Sequence, residues 1–153
     1  LYILVVYFLD KDKSDWTSSF ILYRPVFMTG VLNDWLGYAT DDWSTYRVSK
    51  NTKHFFNELH RWVYKNKKIH IPRLSVIERG VGRLHTHFLI ETPQHYSTKF
   101  YKKLLRKCWC KTQYGIDVKF ENVYDEKELK KYLSKEIYHN NDLGVDVLNS
   151  VKR

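Results

Sequence analysis

Two histidines stand one residue apart in the stretch Arg83-Leu84-His85-Thr86-His87-Phe88-Leu89-Ile90-Glu91. In an extended strand residues i and i+2 point to the same face, so the two imidazoles lie side by side. Neutral imidazole is a common metal ligand, and an ion needs more than two protein or solvent donors. Just upstream, Gly80 and Gly82 sit within residues 79–83 and read as a hairpin turn. With that turn centred on Val81 and Gly82, Glu78 falls opposite His85. Opposed residues share a face, with Cβ atoms about 5 Å apart. Glu78, His85 and His87 then form a triangle with positions left for water and substrate. Two nitrogens and a carboxylate suit Mn²⁺ or Mg²⁺, with solvent or phosphate completing the shell. Glu91 shares the parity of His87 and is the second-choice carboxylate. The competing reading is two ordinary histidines on a polar sheet face.

A second group lies downstream, in Tyr132-Leu133-Ser134-Lys135. Asp125 with Glu128 three residues on is a capping-box variant, and Leu129, Leu133 and Ile137 continue as an apolar ridge. The spacing predicts a helix over 125–139. Residues i and i+3 share a helix face, so the Tyr132 hydroxyl and the Lys135 ammonium can meet one substrate. Tyr138 lies six residues on, about 240° around the helix, and points elsewhere. A tyrosine at the edge of an amphipathic helix is also an ordinary packing residue.

The elements that must position these groups follow from hydrophobic periodicity. Residues 20–33 read as a strand and 34–43 as a loop. Phe55, Phe56, Leu59, Trp62 and Val63 make one stripe of a helix over 49–65. Strands 74–78 and 84–92 flank the turn. A second helix over 97–112 carries Phe100, Tyr101, Leu104, Leu105 and Cys108 on one face, and Gly115 suits its exit. Residues 116–123 form another strand. The order predicts an α+β chain of ferredoxin-like βαββαβ type: an antiparallel sheet with helices on one face, followed by the helix of Tyr132. The opposite sheet face is expected to be free for a site.

Length and composition bound the rest. One domain fits 153 residues, with 1–19 as an N-terminal extension and a core over about 20–139. Leu1 to Leu9 is the longest apolar run and reads as a buried or edge strand. It falls short of the roughly 20 residues a membrane-spanning helix needs, and no basic segment or cleavage site marks it as a signal peptide. Cys108 and Cys110 are too close to staple a fold, which fits a reducing, intracellular compartment, and they lack the further ligands of a zinc knuckle. Lys and Arg number 26 against 17 Asp and Glu, and the resulting +9 suggests a polyanionic partner. Arg79 and Arg83 beside the turn, and Lys99, Lys102, Lys103, Arg106, Lys107 and Lys111 on the second helix, are candidate phosphate contacts. Exposed Trp and Tyr rings could stack unpaired bases. His54, His60, His70 and His95 have no ligand-like spacing to the pair and read as structural or surface residues.

Taken together and in this order, Glu78, His85-Thr86-His87 and Tyr132-x-x-Lys135 resemble the HUH endonucleases, in particular the nuclease domains of rolling-circle replication initiators with a single catalytic tyrosine. The resemblance covers roughly 20–139. It departs in three places: Thr86 is less hydrophobic than usual between the histidines, Phe27-Met28-Thr29 matches the family's first motif only loosely, and no helicase domain follows. The resemblance implies a metal-dependent nickase and strand-joining enzyme. Tyr132 would attack single-stranded DNA and become a 5′-phosphotyrosine, Lys135 would stabilise the charge, and Glu78, His85 and His87 would hold Mn²⁺ or Mg²⁺. It implies origin DNA, which a hairpin can present, a separate helicase and host replication proteins as partners, no membrane, and the compartment where that DNA is replicated: cytoplasm in a prokaryotic host, nucleus in a eukaryotic one. A single-strand transposase or relaxase of the same superfamily, a metal-dependent hydrolase without a covalent step, and a non-catalytic ferredoxin-like nucleic-acid-binding module are the alternatives. The last would carry stacking aromatics where His85 and His87 stand.

Overall fold

A computed structural model of the chain describes residues 22–39, 41, 43–65, 69–78, 82–123, 143–146 and 149–152. Four antiparallel strands account for the expected sheet: β1 (Val26–Leu32), β2 (Arg73–Glu78), β3 (His85–Ile90) and β4 (Gly115–Glu121). A three-residue strand that periodicity does not reveal, β5 (Leu143–Val145), pairs with β2, so the order is β4-β1-β3-β2-β5. Among the described residues there are three helices: α1 (Asp34–Gly37), α2 (Ser44–Tyr64) and α3 (Thr98–Cys110). The chain is α+β, and its antiparallel sheet with helices is consistent in general with a ferredoxin-like arrangement. The helix expected over 125–139, with Tyr132 and Lys135, lies outside the described residues, as do the extension 1–19 and Arg79.

Alternation along the strands sorts residues between the two faces. Val26, Met28 and Leu32 of β1, Ile77 of β2 and Phe88 and Ile90 of β3 face α2 and α3. They meet Val48, Phe55, Phe56 and Leu59 from α2 and Tyr101, Leu105, Cys108 and Trp109 from α3 in one core. Each such burial removes a side chain from water and contributes about 1.5–3 kcal/mol. Trp109 reaches deepest: its Nε1–H donates to the Val31 carbonyl at 3.0 Å. Its ring lies over Gly30, where a Cβ would come within 2.5 Å of Cζ2. Only glycine admits that approach.

Several expectations change. The loop over 34–43 contains α1, capped by Asn33, whose side chain accepts the Leu36 N–H at 3.1 Å. Helix α2 starts five residues earlier than its apolar stripe suggests. Its first turns bury polar Ser44, Thr45, Asn51 and Thr52, and Asn51 is satisfied by Thr112 and the Tyr114 N–H. Trp62 is 45% exposed rather than core, because it falls at the edge of the buried arc near the helix end; its Nε1–H donates to Glu58 and the Lys107 ammonium lies 4.0 Å from the ring. Phe100 is also exposed, stacked on Tyr96, since it precedes the buried arc that begins at Tyr101. The opposite sheet face is not wholly free: Phe27, Leu74, Val76 and Leu89 on it are all buried. Among the described residues no helix is long and apolar enough to cross a membrane.

Candidate metal centre

Strand register builds the site. Glu78 pairs with His85 across the β2–β3 ladder, and Val76 pairs with His87. Gly82 has φ 92°, in the left-handed region that favours glycine. The β1–β3 ladder adds Thr29 opposite His87 and Val31 opposite His85, and the β1–β4 ladder adds Lys119 opposite Thr29. Two rows therefore cross the face: Lys119, Thr29, His87, Val76 and Asp117, Val31, His85, Glu78. Thr86 points the other way and is fully buried. A small β-branched side chain suits that position, because its Cγ2 already packs beside Gly30 under Trp109.

His87 is fixed at both ring nitrogens. Nε2 lies 2.5 Å from Glu78 Oε2, and Nδ1 lies 2.9 Å from Thr29 Oγ1. With Nε2–H donating to the carboxylate, Nδ1 accepts from the threonine hydroxyl; with Nε2 on a metal, Nδ1–H would donate to Thr29 instead. The threonine serves either tautomer, the orienting role that partners of metal-bound histidines fill. Phe27 stacks against the imidazole, with centroids 6.0 Å apart. His85 stands next to it, 6.3 Å between ring centroids.

The packing shifts Glu78 and His85 in the same direction. The His87 hydrogen bond holds the Glu78 carboxyl below its ordinary value, with the two imidazoles assisting against the opposing effect of burial. Burial pushes the His85 imidazole down, and His87, Arg83 and Lys119 add to that, while Glu78 opposes it. An ionised carboxylate and a neutral imidazole are the forms that bind a cation.

The donor set of two imidazoles and one carboxylate on one face suits a divalent ion. To share an ion with His87 the carboxylate would have to draw back, because Glu78 Oε2 now lies 2.5 Å from Nε2. Among the described residues no group of three or more His, Cys, Asp or Glu side chains is arranged to hold an ion as it stands. Glu91, the second-choice carboxylate, is buried and accepts the Tyr23 backbone N–H at 3.0 Å, and Glu78 takes the place beside His87.

The expected phosphate contacts separate from this site. Arg83 is turned into the fold: its guanidinium bonds Asp34 at 3.0 Å, the Tyr38 hydroxyl at 3.3 Å and the Leu32 carbonyl, and covers the Tyr38 ring. It clamps α1 to the end of the sheet. Lys102, Lys103 and Arg106 belong to α3, on the other face from the histidines. Lys102 lies over Phe120 and Arg106 pairs with Asp117; Lys103 is exposed. Lys107 and Lys111 cover Trp62, and Lys99 is exposed at the start of α3. Lys119 is the cation that sequence reasoning passed over; its alternation within β4 was visible, but the ladder that sets it beside Thr29 was not.

The remaining histidines and cysteines behave as structural or surface groups. Buried His60 accepts the Ile71 N–H at 3.2 Å, while His54, His70 and His95 are exposed. Cys108 and Cys110 are both unbridged, one buried and one exposed. No protein-family model, no curated protein and no solved structure matches this chain.

Proposed function

We propose that this chain is a metal-dependent endonuclease and strand-joining enzyme for single-stranded DNA, acting through a covalent tyrosine as a rolling-circle initiator of the HUH type does. The observation that carries the reading is the pairing of Glu78 with His85 across the neighbouring strands β2 and β3, with His87 two residues along the same face. Residue types spaced by sequence parity converge there on one donor set. Glu78, His85 and His87 would hold Mn²⁺ or Mg²⁺, and the ion would polarise the scissile phosphate and ease departure of an alkoxide. Thr29 orients His87, and Lys119 places a positive charge on the same face, two strands from the imidazole.

The covalent step belongs to Tyr132. Its hydroxyl oxygen attacks phosphorus, the bond from phosphorus to the 3′ oxygen breaks, and the proton lost by tyrosine is balanced by the one gained at the released 3′ hydroxyl. Lys135, three residues along the sequence, offsets charge on the phosphotyrosine. The 3′ hydroxyl can later attack that ester and rejoin the strand. The +9 chain draws in the polyanionic substrate. Origin DNA, a separate helicase and host replication factors are the partners this reading calls for.

Incubation of the full chain with end-labelled single-stranded DNA pools and Mn²⁺, resolved on a denaturing gel, tests the proposal. A protein–DNA band stable to denaturant, carrying the label of the strand 3′ to the nick, is expected. Cleavage without any covalent band would point to a plain metal hydrolase and overturn the tyrosine step.

A further inference from the structure

The outer face of α2 carries a pattern that the sheet site does not use. Arg47, Lys50, His54, Asn57 and Arg61 recur at alternating spacings of three and four, so they form one stripe along the helix. The stripe is about 21 Å long at about 1.5 Å per residue, and it lies opposite the core residues Val48, Phe55 and Leu59. Its first half opens into a groove of about 270 Å³ whose lining includes Trp43, Tyr46, Arg47, Lys50, His54 and Tyr114. Past Tyr46, Lys50 and His54 the groove continues into a second hollow of about 460 Å³, which adds Lys53.

Aromatic rings stand around this entrance. Trp43 is 49% exposed and meets Tyr46 edge-on, with centroids 6.1 Å apart. Trp35, 63% exposed, stacks on Tyr114 at 5.5 Å, and the Arg47 guanidinium lies 5.3 Å from the Trp35 ring. No acidic side chain lines the first hollow. Asp41 engages Arg47 at 3.0 Å, and Glu58, farther along, engages Arg61 and Lys111. Exposed Lys50 and Lys53 have no acidic partner among the described residues, so the cationic field is concentrated between the two hollows. Exposed rings beside the Lys50 and Lys53 ammonium groups form a surface that takes bases by stacking and phosphates by charge. The first hollow, below the roughly 300–1,000 Å³ of small-molecule pockets, suits a single inserted base, and the second leaves room for the backbone beside Lys53.

We propose that this groove binds an unpaired segment of DNA, with a base against Trp43 and the backbone tracking Lys50 and Lys53. The choice of DNA rests on the proposed nuclease reading; the groove itself needs neither metal nor Tyr132. Its position allows one strand to reach both sites. The Asn33 N–H bonds the Tyr114 carbonyl at 2.8 Å, and the Leu84 N–H bonds the Gly37 carbonyl at 2.6 Å, one residue before His85. The aromatic cluster therefore sits at the sheet end where His85 and Glu78 lie, and a strand leaving the sheet face there passes onto α2.

Fluorescence anisotropy of a labelled oligothymidylate of about 16 nucleotides, the upper end of a one-domain site, tests this in EDTA so that cleavage contributes nothing. Trp43→Ala should weaken binding by about fivefold or more, and Trp43→Phe should restore most of it. Lys50→Ala with Lys53→Ala should lower the slope of log K against log salt by about 1.4, at about 0.7 for each lost single-strand phosphate contact. Unchanged affinity in both sets of variants with native melting curves, or equal affinity for a duplex of the same length, overturns the proposal. The covalent-adduct assay run in parallel on the unaltered chain separates the two ideas: no adduct with intact groove binding removes the nuclease reading alone.

Discussion

His87 and Glu78 meet across the neighbouring strands β3 and β2, Nε2 to Oε2, at 2.5 Å. The contact joins two members of the expected ligand set directly, and it lowers the Glu78 carboxyl pKa. Because the folded value lies below the ordinary 4.5, the pair contributes stability that is fully present above about pH 4.5 and is lost as pH falls through the lowered value. Glu78→Gln keeps the shape and removes the charge. Isothermal titration with Mn²⁺ should show binding to the unaltered chain and none to Glu78→Gln, while circular dichroism stays native. Equal Mn²⁺ affinity in the two proteins would take Glu78 out of the site.

Thr29 should behave as a positioning residue for His87. Thr29→Val removes the hydroxyl at nearly constant volume and is expected to weaken Mn²⁺ binding by about 10- to 100-fold. Thr29→Ser should restore it. A merely structural role would show equal Mn²⁺ affinity in Thr29→Val and the unaltered chain, with any change confined to the melting temperature.

The Glu78–His85 pairing is legible in the sequence because a hairpin turn and strand parity together determine a register within ten residues. Thr29 is not, since it lies on a strand 58 residues away and only the sheet order brings it to His87. The first half of α2 escapes the apolar pattern because most of its inward positions are polar, Ser44, Thr45, Asn51 and Thr52, with Ser44 and Asn51 held by side-chain hydrogen bonds. Residue type misleads in the other direction at Trp62 and Phe100, which are aromatic but sit at the edges of their buried arcs. Strand β5, at three residues, is too short to show alternation. Arg83 reads as a free cation beside a turn, and only the docking of α1 shows that its donors are taken by Asp34, Tyr38 and the Leu32 carbonyl.

Gly30→Ala should destabilise the fold by about 1–3 kcal/mol, the usual range for overpacking a filled core. The new methyl would meet Trp109 at 2.5 Å and Thr86 at 2.9 Å. Urea unfolding followed by tryptophan fluorescence reads the change as a lower midpoint at constant slope. A midpoint equal to that of the unaltered chain would mean that Trp109 does not sit over β1.

Acid should unfold the chain partly through His60. Burial, with Arg73 and His70 nearby, pushes its pKa down to about 4 from 6.5, and its Nε2 accepts the Ile71 N–H. Since the unfolded chain binds the proton more readily, stability is complete above about pH 6.5 and falls as pH drops toward 4. The full loss is about 3 kcal/mol for a shift of this size. His60→Gln keeps an acceptor and should flatten that slope in urea titrations between pH 7 and 4. A slope identical to that of the unaltered chain would assign the acid response to other groups.

Tyr132→Phe is the most direct test of the central claim. The substitution removes one oxygen and keeps the ring, so single-stranded DNA should still bind. With Mn²⁺ and labelled single-stranded DNA, the unaltered chain should give a denaturant-stable adduct whose nucleotide maps to Tyr132 by mass spectrometry, and Tyr132→Phe should give none. An adduct formed by the phenylalanine variant, or a nucleotide mapped to Tyr138, would contradict the mechanism.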